Sequence, residues 1–568
     1  MGVVPFEFKK LAEDILDEVE SKTEAEVPKK KKKPTQAELL IMLARDATLF
    51  HDPETDTAFA SIPAGGHREN WPIRTKGFRR WLLQRYWEEK QKAPGAQALQ
   101  DALGVLEAKA HFEGQAQPIY TRLGEYDGDI YLDLCNDTWE AIRITPGGEQ
   151  IVKNLPVRFR RSKGMLPLPR PLESGNLGEL RQFVNIGTDT DWCLLVAWLV
   201  AAIRPTGPYP VLVLQGEQGS AKSTTAKVLR ALIDPNVAPL RTAPREERDM
   251  AIAANNSWVL SFDNLSNVPA WLSDALCRVA TGGGFATRTL YANDEETIFT
   301  FTRPIILNGI DEIIYRHDLL DRSIVVNLPT IPDNKRKPED EFWEEFHKAR
   351  SRILGALLNA AATGLKNIDK VELEELPRMA DFAKWVTAAE PALPWEPGAF
   401  MEAYSGKRTE AVELALEGDA VAVAVQALIA NRGTWEGTAT ELLGALLEYV
   451  PETTQRTRAW PKTARTVANR LRRAATFLRQ INVEVEFYLE AGGNRRRLIR
   501  ISTNSTVPLV PLVPKADKTR VSDRDDGGTI GTMAGRWRDD GAESTNPGEM
   551  QVWDYRDDGD DEKHTYSE

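Results

Sequence analysis

The stretch VLVLQGEQGSAKSTT, residues 211–225, carries the strongest structural signal in this sequence. An apolar run of strand length leads into a glycine-containing turn, a Lys-Ser pair and a helical stretch. This order is typical of a phosphate-binding loop, in which glycines let main-chain N–H groups turn toward phosphates and the start of a helix adds a positive dipole end. The predicted nucleotide-contacting residues are Gly216, Glu217, Gln218, Gly219, Ser220, Ala221, Lys222, Ser223 and Thr224.

Two residues at the end of this loop carry the expected chemistry, with ATP and Mg²⁺ as cofactors. Lys222 is placed to reach the β- and γ-phosphates, and Ser223 is placed to bind Mg²⁺. Ala221 stands where the motif has glycine. Its methyl group is tolerable if the position has a negative φ and unfavourable if φ is positive.

A second apolar run, SWVLSFDN, ends in Asp263, which we expect to bind Mg²⁺ through water. Asn264 follows at a position where a glutamate commonly polarises the attacking water. An amide orients water but is a poor base, so hydrolysis is expected to be slow or to use another carboxylate. Candidates near in sequence are Glu246, Glu247 and Asp249.

Two further polar residues lie at the ends of predicted strands. FTFTRPIILNG ends in Asn308, which could sense the γ-phosphate beside Asp263. DLLDRSIVVNL places Arg322 at the end of a helix and the start of a strand. We interpret Arg322 as an arginine finger acting on a neighbouring subunit, which implies an oligomer. The predicted catalytic set is therefore Lys222, Asp263, Asn264, Asn308 and Arg322.

The order of these elements resembles the compact AAA+ core of superfamily 3 helicases, and most of all the C-terminal module of primase–helicases from poxviruses, phages and integrated elements. The resemblance covers residues 175–335 most closely. It implies a hexameric ring that moves along one DNA strand by ATP hydrolysis, in the cytoplasm of a bacterial host. Ala221 and Asn264 depart from the family pattern.

The segment LCRVATGGGFATRTLYANDEETIFTFTRP resembles the family's hairpin that projects into the ring channel. Arg288 and Tyr291 lie in it; Arg288 could contact single-stranded DNA or serve a structural or nucleotide-sensing role. The family's primase half is not expected here, because only a short segment precedes residue 35. A separate primase or polymerase is then an expected partner.

The predicted architecture is multidomain α/β, with an AAA+-type phosphate-loop core flanked by a mixed N-terminal domain, a helical linker and a C-terminal winged-helix domain. The predicted segments are 1–34, a flexible N-terminal segment with a lysine-rich linker; 35–174, a mixed α+β domain; 175–335, the ATPase core; 336–432, a helical domain; 433–503, the winged helix; and 504–568, a disordered acidic tail.

Within the N-terminal domain, residues 35–115 have mainly helical periodicity, with Thr35 as a cap. Residues 118–170 switch to short alternating runs, which predict strands. Asp127 and Asp129 resemble a metal-binding carboxylate pair, but a hairpin turn before a strand is the favoured interpretation. The run WCLLVAWLVAAI is too short to span a bilayer and predicts a buried helix.

The C-terminal module is strongly basic, with 12 Lys/Arg against 3 acidic residues between Arg456 and Arg500. A helix from about Lys462 to Gln480 should bury Val467, Leu471, Ala475 and Leu478, and a basic hairpin follows. Helix and hairpin together indicate a winged helix that binds DNA, with a solvated charged helix as the alternative. The predicted contacts are Arg465, Arg472, Arg473, Arg495, Arg496 and Arg497, besides Arg479 on the outward face.

Bulk properties restrict the function less than the motifs do. The net charge of −12 argues against nucleic acid binding by the chain as a whole, but −7 of it lies in residues 511–568. Three scattered cysteines exclude a zinc ribbon or disulfide framework, and no membrane segment or signal peptide is predicted. A helicase or translocase is the leading hypothesis; a non-unwinding AAA+ switch or loader and an inactive ATP-binding scaffold are the alternatives.

Overall fold

The computed structural model describes residues 33–503 apart from 174, 267, 289–295, 310–315, 418, 458–459 and 491–494. The first described helix begins with a capping box, in which Thr35 and Glu38 accept hydrogen bonds from each other's main-chain N–H groups. The first elements are α1 (Gln36–Leu43), β1 (Thr48–Asp52), β2 (Thr57–Ala64), β3 (His67–Pro72), α2 (Lys76–Lys90) and α3 (Ala96–Phe112).

Strands β1–β3 correct the mainly helical prediction for residues 35–115. They form an antiparallel sheet, and β2 turns into β3 through Gly65 and Gly66. Both glycines have positive φ, 49° and 93°, as a two-residue hairpin between twisted strands requires. The glycine pair is the sequence signal for this turn.

A second antiparallel sheet, of order β6-β7-β8-β9, confirms the strands predicted after residue 118. Asp127 and Gly128 form the two-residue turn from β6 to β7. Arg143 donates to Asp129 at 2.7 Å, so the acidic pair belongs to a hairpin. The strands of this sheet are β6 (Leu123–Tyr126), β7 (Asp129–Asp133), β8 (Ala141–Thr145) and β9 (Gly148–Val152). Three short strands lie beside them in sequence: β4 (Gln115–Ala116), which pairs with β1, and β5 (Ile119–Tyr120) and β10 (Arg158–Phe159), which pair with each other.

A parallel sheet of order β12-β15-β11-β16 forms the centre of the described structure. All its strands run the same way, so their carboxyl ends meet at one edge, where open α/β sheets bind ligands. The elements are α4 (Asp189–Ala201), β11 (Val211–Gln215), α5 (Lys222–Ile233), α6 (Glu247–Asn256), β12 (Leu260–Leu265), α7 (Ala270–Thr281), β13 (Gly284–Arg288), β14 (Glu296–Thr300), β15 (Ile305–Gly309), α8 (His317–Leu320) and β16 (Ser323–Asn327).

The predicted buried helix is confirmed as α4, which is buried continuously from Asp191 to Ala201. Its core is continuous with the second antiparallel sheet and with the parallel sheet, through residues such as Leu132 and Leu212. A buried ion pair also joins the start of β6 to the end of α5: Arg122 Nε lies 3.1 Å from Asp234 Oδ1, and both side chains are fully buried. Residues on either side of position 175 therefore share one hydrophobic core.

Helices follow the parallel sheet, as predicted: α9 (Glu339–Asn367), α10 (Ala380–Ala389), α11 (Ala399–Glu417) and α12 (Ala420–Arg432). Asp321, which directly follows α8, forms ion pairs with Arg378 and Arg408 of this helical part at 2.8 and 2.7 Å. In the described part of the chain, no helix is long and apolar enough to cross a membrane.

The C-terminal part has its own hydrophobic core around the helix α15 (Ala464–Gln480). The four apolar residues predicted for the inner face of that helix are all buried. A three-stranded antiparallel sheet of order β17-β19-β18 packs beside it. The elements are β17 (Thr434–Gly437), α13 (Ala439–Leu446), α14 (Glu452–Arg456), α15 (Ala464–Gln480), β18 (Val483–Leu489) and β19 (Arg497–Thr503).

Candidate nucleotide-binding site

The predicted phosphate loop follows β11 at the carboxyl edge of the parallel sheet and ends where α5 begins. Its backbone has positive φ at Gly216 (157°), Gly219 (85°) and Ala221 (62°). Ala221 caps α5 in the left-handed region, where an alanine is strained and glycine is not. The unfavourable alternative for Ala221 therefore holds.

Lys222 is folded back into the loop. Its Nζ donates to the carbonyl oxygens of Gly216 and Glu217 at 2.7 and 2.8 Å. Burial lowers the pKa of the Lys222 ammonium, and the Asp263 carboxylate acts in the opposite direction. The ammonium therefore occupies the concave side of the loop, where a phosphate group would provide it with a stronger partner.

Ser223 joins the loop to the neighbouring strand region. Its Oγ donates to Asp263 Oδ1 at 2.9 Å, although 40 residues separate the two in sequence. A hydroxyl and a carboxylate are the oxygen ligands that Mg²⁺ prefers. The two predicted metal residues thus fit a magnesium ion next to a bound triphosphate.

Asn264 and Asn308 meet at an irregularity between β12 and β15. The register shifts between Phe262 and Leu265, and Asn264 has a φ of 56°. Asn308 Oδ1 accepts from the Asn264 N–H at 2.8 Å and replaces a ladder bond. Asn308 is buried, and within the described residues its Nδ2 has no partner. A bulge of this kind next to a candidate site re-aims the side chains around it.

Arg322 lies at the opposite edge of the sheet. It directly precedes β16, and its carbonyl accepts from the N–H of Val211, the first residue of β11. The loop begins at the other end of β11, which as a five-residue strand is about 16 Å long. The Arg322 side chain is mostly buried and donates to the Asp318 carbonyl at 2.8 Å. It therefore lies away from the phosphate loop of its own chain.

Of the acidic residues suggested as substitutes for the base, Glu247 is engaged in an ion pair elsewhere. Glu247 pairs with Arg278 near the end of α7. That end is tied to Tyr209 ahead of β11, at the amino edge of the sheet. Asp249 accepts from the nearby Arg245 N–H at 3.3 Å, and Glu246 is exposed.

Side chains from two further segments also contact the loop, and no sequence motif predicted these contacts. Asn185 Nδ2 donates to the Ser220 carbonyl at 3.0 Å and also to the Pro329 carbonyl. Thr330 Oγ1 donates to Glu217 Oε2 at 3.0 Å. The basic cluster DNKRK, residues 333–337, was a possible sequence signal for such contacts, because it follows β16 at the same edge of the sheet.

The α15 arginines that are predicted to contact DNA differ in whether their side chains already have a partner in the protein. Arg465 and Arg473 are exposed and have no side-chain partner in the part of the chain that the structure describes. The Arg472 guanidinium lies 4.5 Å from the ring centroid of Phe487. Arg479 pairs with Glu484 at 3.0 Å. Two arginines of this helix are therefore free to bind an external anion.

The other predicted DNA contacts lie on hairpins. Arg495, Arg496 and Arg497 are exposed where the chain enters β19, and Arg496 pairs with Glu490 at 2.8 Å. Arg288 is the last residue of β13 and lies opposite Glu296, the first residue of β14. Tyr291 lies outside the described residues.

Two family models match the chain over more than half of its length. Residues 177–398 match the actinomycete integrative conjugative element replication protein, and residues 421–517 match the C-terminal domain of the same replication protein. The chain belongs to this replication protein family. No curated protein matches it significantly.

Solved structures show weaker likenesses. The apo A form of the NrS-1 C-terminal region aligns at a TM-score of 0.36 and 11% identity, over 83% of this chain and 100% of that one. A JCV helicase with a bound acetamide compound aligns at a TM-score of 0.21 and 13% identity, over 37% of this chain and 67% of that one. Neither likeness is close enough to define the fold.

Proposed function

We propose that this chain is an ATP-dependent DNA helicase or translocase that acts in the replication of a mobile element. The observation that carries the proposal is the 2.9 Å hydrogen bond between Ser223 and Asp263, which brings the phosphate loop and the second motif together at one edge of the sheet. Membership in a replication protein family supports DNA as the polymer on which the ATPase acts.

Each site residue has a role in this proposal. Main-chain N–H groups of residues 216–223 and the start of α5 bind the β- and γ-phosphates, and Lys222 adds its charge there. Ser223 and Asp263 hold Mg²⁺, which when bound neutralises charge on the phosphate oxygens. Asn308 and Asn264 orient the attacking water.

We also infer an AAA+ core of the superfamily 3 kind that assembles into a hexameric ring. The position of Arg322 supports this inference, because it lies across the sheet from the loop of its own chain. In a ring, such a residue can stabilise transition-state charge at the site of the adjacent subunit. The antiparallel pair β13–β14, in which Arg288 is the last residue of β13, would meet single-stranded DNA in the channel.

The C-terminal part is proposed to be a winged helix that binds DNA. Its order of elements supports this: α12, β17, α13, then α15 followed by the antiparallel pair β18–β19. Helix α15 exposes Arg465 and Arg473, and arginines also lie next to the hairpin turn. The helix would enter the major groove while the hairpin contacts phosphates.

The test is ATP hydrolysis and strand displacement by the purified full-length chain, with and without DNA. Lys222→Ala should abolish both activities because it removes the phosphate-binding charge. Lys227→Ala is the matched control, since Lys227 is on the same helix and pairs with Glu339. Nucleotide-dependent activity that survives Lys222→Ala would refute the site assignment.

Asn264 favours a second candidate, an ATP-binding switch or loader that hands DNA onward without unwinding it. An amide in place of a base would keep ATP bound for longer. Asn264→Glu should raise ATP turnover at least tenfold if only the base is missing, whereas Asn264→Gln should not. ATP turnover without strand displacement in the wild type would favour the switch.

A further inference from the structure

The segment from Leu328 to Arg336 runs alongside the phosphate loop. Its main chain is bonded to the loop at two points: the Leu328 N–H donates to the Gln215 carbonyl at 2.8 Å, and the Ile331 N–H donates to the Gly219 carbonyl at 3.3 Å. Together with the Asn185 and Thr330 contacts, these bonds fix the path of the segment relative to the loop.

This path brings the Arg336 guanidinium to the loop backbone. A methyl group added to Gly219 would lie 3.1 Å from Arg336 Nη2. The Arg336 side chain is 56% exposed and pairs with Asp333 at 3.2 Å, a carboxylate that is itself 93% exposed. An exposed ion pair of this kind contributes little free energy, so its arginine can change partner.

We propose that Arg336 binds the β- and γ-phosphates of the nucleotide held by its own chain, and that Asp333 competes with them for the guanidinium. This proposal rests on the proposed function, because it assumes that the loop holds a nucleoside triphosphate. It assigns the triphosphate a second cation besides Lys222, supplied by the segment that follows β16.

The chemistry of the residue fits this role. Arginine presents several donors in a planar fork that matches phosphate oxygens, and charge-assisted bonds of this type are about twice as strong as neutral ones. The guanidinium lies beside Gly219, a residue of the loop whose main-chain N–H groups would bind the phosphates. No movement of the sheet is needed to bring the two together.

The experiment measures the dissociation constants of fluorescent ATP and ADP analogues with the full chain and Mg²⁺. Arg336→Ala should weaken binding of the ATP analogue about tenfold, the usual effect of one charge-assisted hydrogen bond. Arg336→Lys should lose less, because it keeps the charge without the fork. Lys335→Ala is the control, since Lys335 is also exposed in the same short helical turn.

A second variant separates phosphate binding from a structural role. Asp333→Asn should tighten ATP binding about two- to threefold, because a weak, exposed ion pair no longer competes for the guanidinium. A structural role for the pair would weaken binding in both variants. Opposite signs for Asp333→Asn and Arg336→Ala, with unchanged thermal midpoints, support the proposal.

The outcomes distinguish this proposal from the one on which it rests. If the wild type binds no nucleotide, the proposed function fails and this proposal fails with it. If the wild type binds nucleotide and Lys222→Ala does not, while Arg336→Ala binds ATP and ADP as the wild type does, only the role of Arg336 is overturned. Weaker binding of both nucleotides indicates the β-phosphate, and weaker binding of ATP alone indicates the γ-phosphate.

Discussion

The side-chain oxygen of Asn308 accepts a hydrogen bond from the main-chain N–H of Asn264, at 2.8 Å, where β12 and β15 lose their register. One amide thus holds the backbone of the residue that follows the predicted metal ligand Asp263. Because an N–H can only meet the oxygen of that amide, the Nδ2 of Asn308 is left for another acceptor. A structural role and a γ-phosphate-sensing role are therefore compatible in this residue.

Asn308→Ala should lower the free energy of unfolding by about 1–3 kcal/mol, because it leaves the Asn264 N–H without its acceptor in a buried place. ATP hydrolysis should fall with it. Chemical denaturation of the two proteins measures the first effect. Ser261→Ala on β12 is the control: the Ser261 hydroxyl is buried without a partner among the described residues, so its removal should be close to neutral. Equal effects of the two variants would contradict the bridging role of Asn308.

Ala221→Gly should stabilise the chain by about 1 kcal/mol, since glycine adopts the φ of 62° without strain. The thermal midpoint should rise, and nucleotide affinity should not fall. Ala226→Gly, one turn further along α5 and fully buried, should change stability in the opposite direction by about 1 kcal/mol. A lower midpoint for Ala221→Gly would show that the alanine is not strained at this position.

Arg322→Ala should reduce ATP hydrolysis by about 10³-fold while nucleotide binding persists, because the residue would act in a neighbour's site. The decisive measurement mixes Arg322→Ala with Lys222→Ala, each inactive alone. Some subunit pairs in mixed rings then combine an intact loop with an intact finger, and hydrolysis should partly return. Arg316→Ala, which removes an exposed arginine paired with Asp274, serves as the control. No recovery on mixing would contradict action between subunits.

The double variant Arg465→Ala/Arg473→Ala should weaken duplex DNA binding and reduce the slope of log K against log salt by about 2, one phosphate contact for each arginine. Arg479→Ala should have a smaller effect, because Arg479 already pairs with Glu484. Fluorescence anisotropy over a range of salt concentrations measures both. An unchanged slope in the double variant would show that this face of α15 does not meet DNA.

The sequence predicted those parts of the site whose geometry is local in the chain. A strand, a glycine turn and a helix start fix the loop, and Asp263 and Asn308 follow from strands that end at the same edge. The bulge at Asn264 could not be predicted, because it depends on how β12 pairs with β15.

Contacts between distant segments were also invisible in the sequence. Arg336 reaches Gly219 only through the path of the chain after β16. Similarly, nothing local distinguishes the partnered Arg479 from the unpartnered Arg473. The strands β1–β3 were missed for a different reason, since short alternating runs between strong helices carry a weak periodic signal.

The buried pair of Arg122 and Asp234 restricts where a shorter fragment of this chain can begin. Asp234 also accepts from the N–H groups of Trp258 and Val259, at 3.0 and 3.2 Å, so its charge is part of the entry into β12. A fragment that starts at residue 175 would delete one of the two guanidinium partners of that carboxylate and leave only Arg230, at 3.6 Å, beside it in an apolar interior. A fragment that holds the parallel sheet should therefore begin ahead of Arg122, and the antiparallel sheet β6-β7-β8-β9 should be kept with it in any domain exchange.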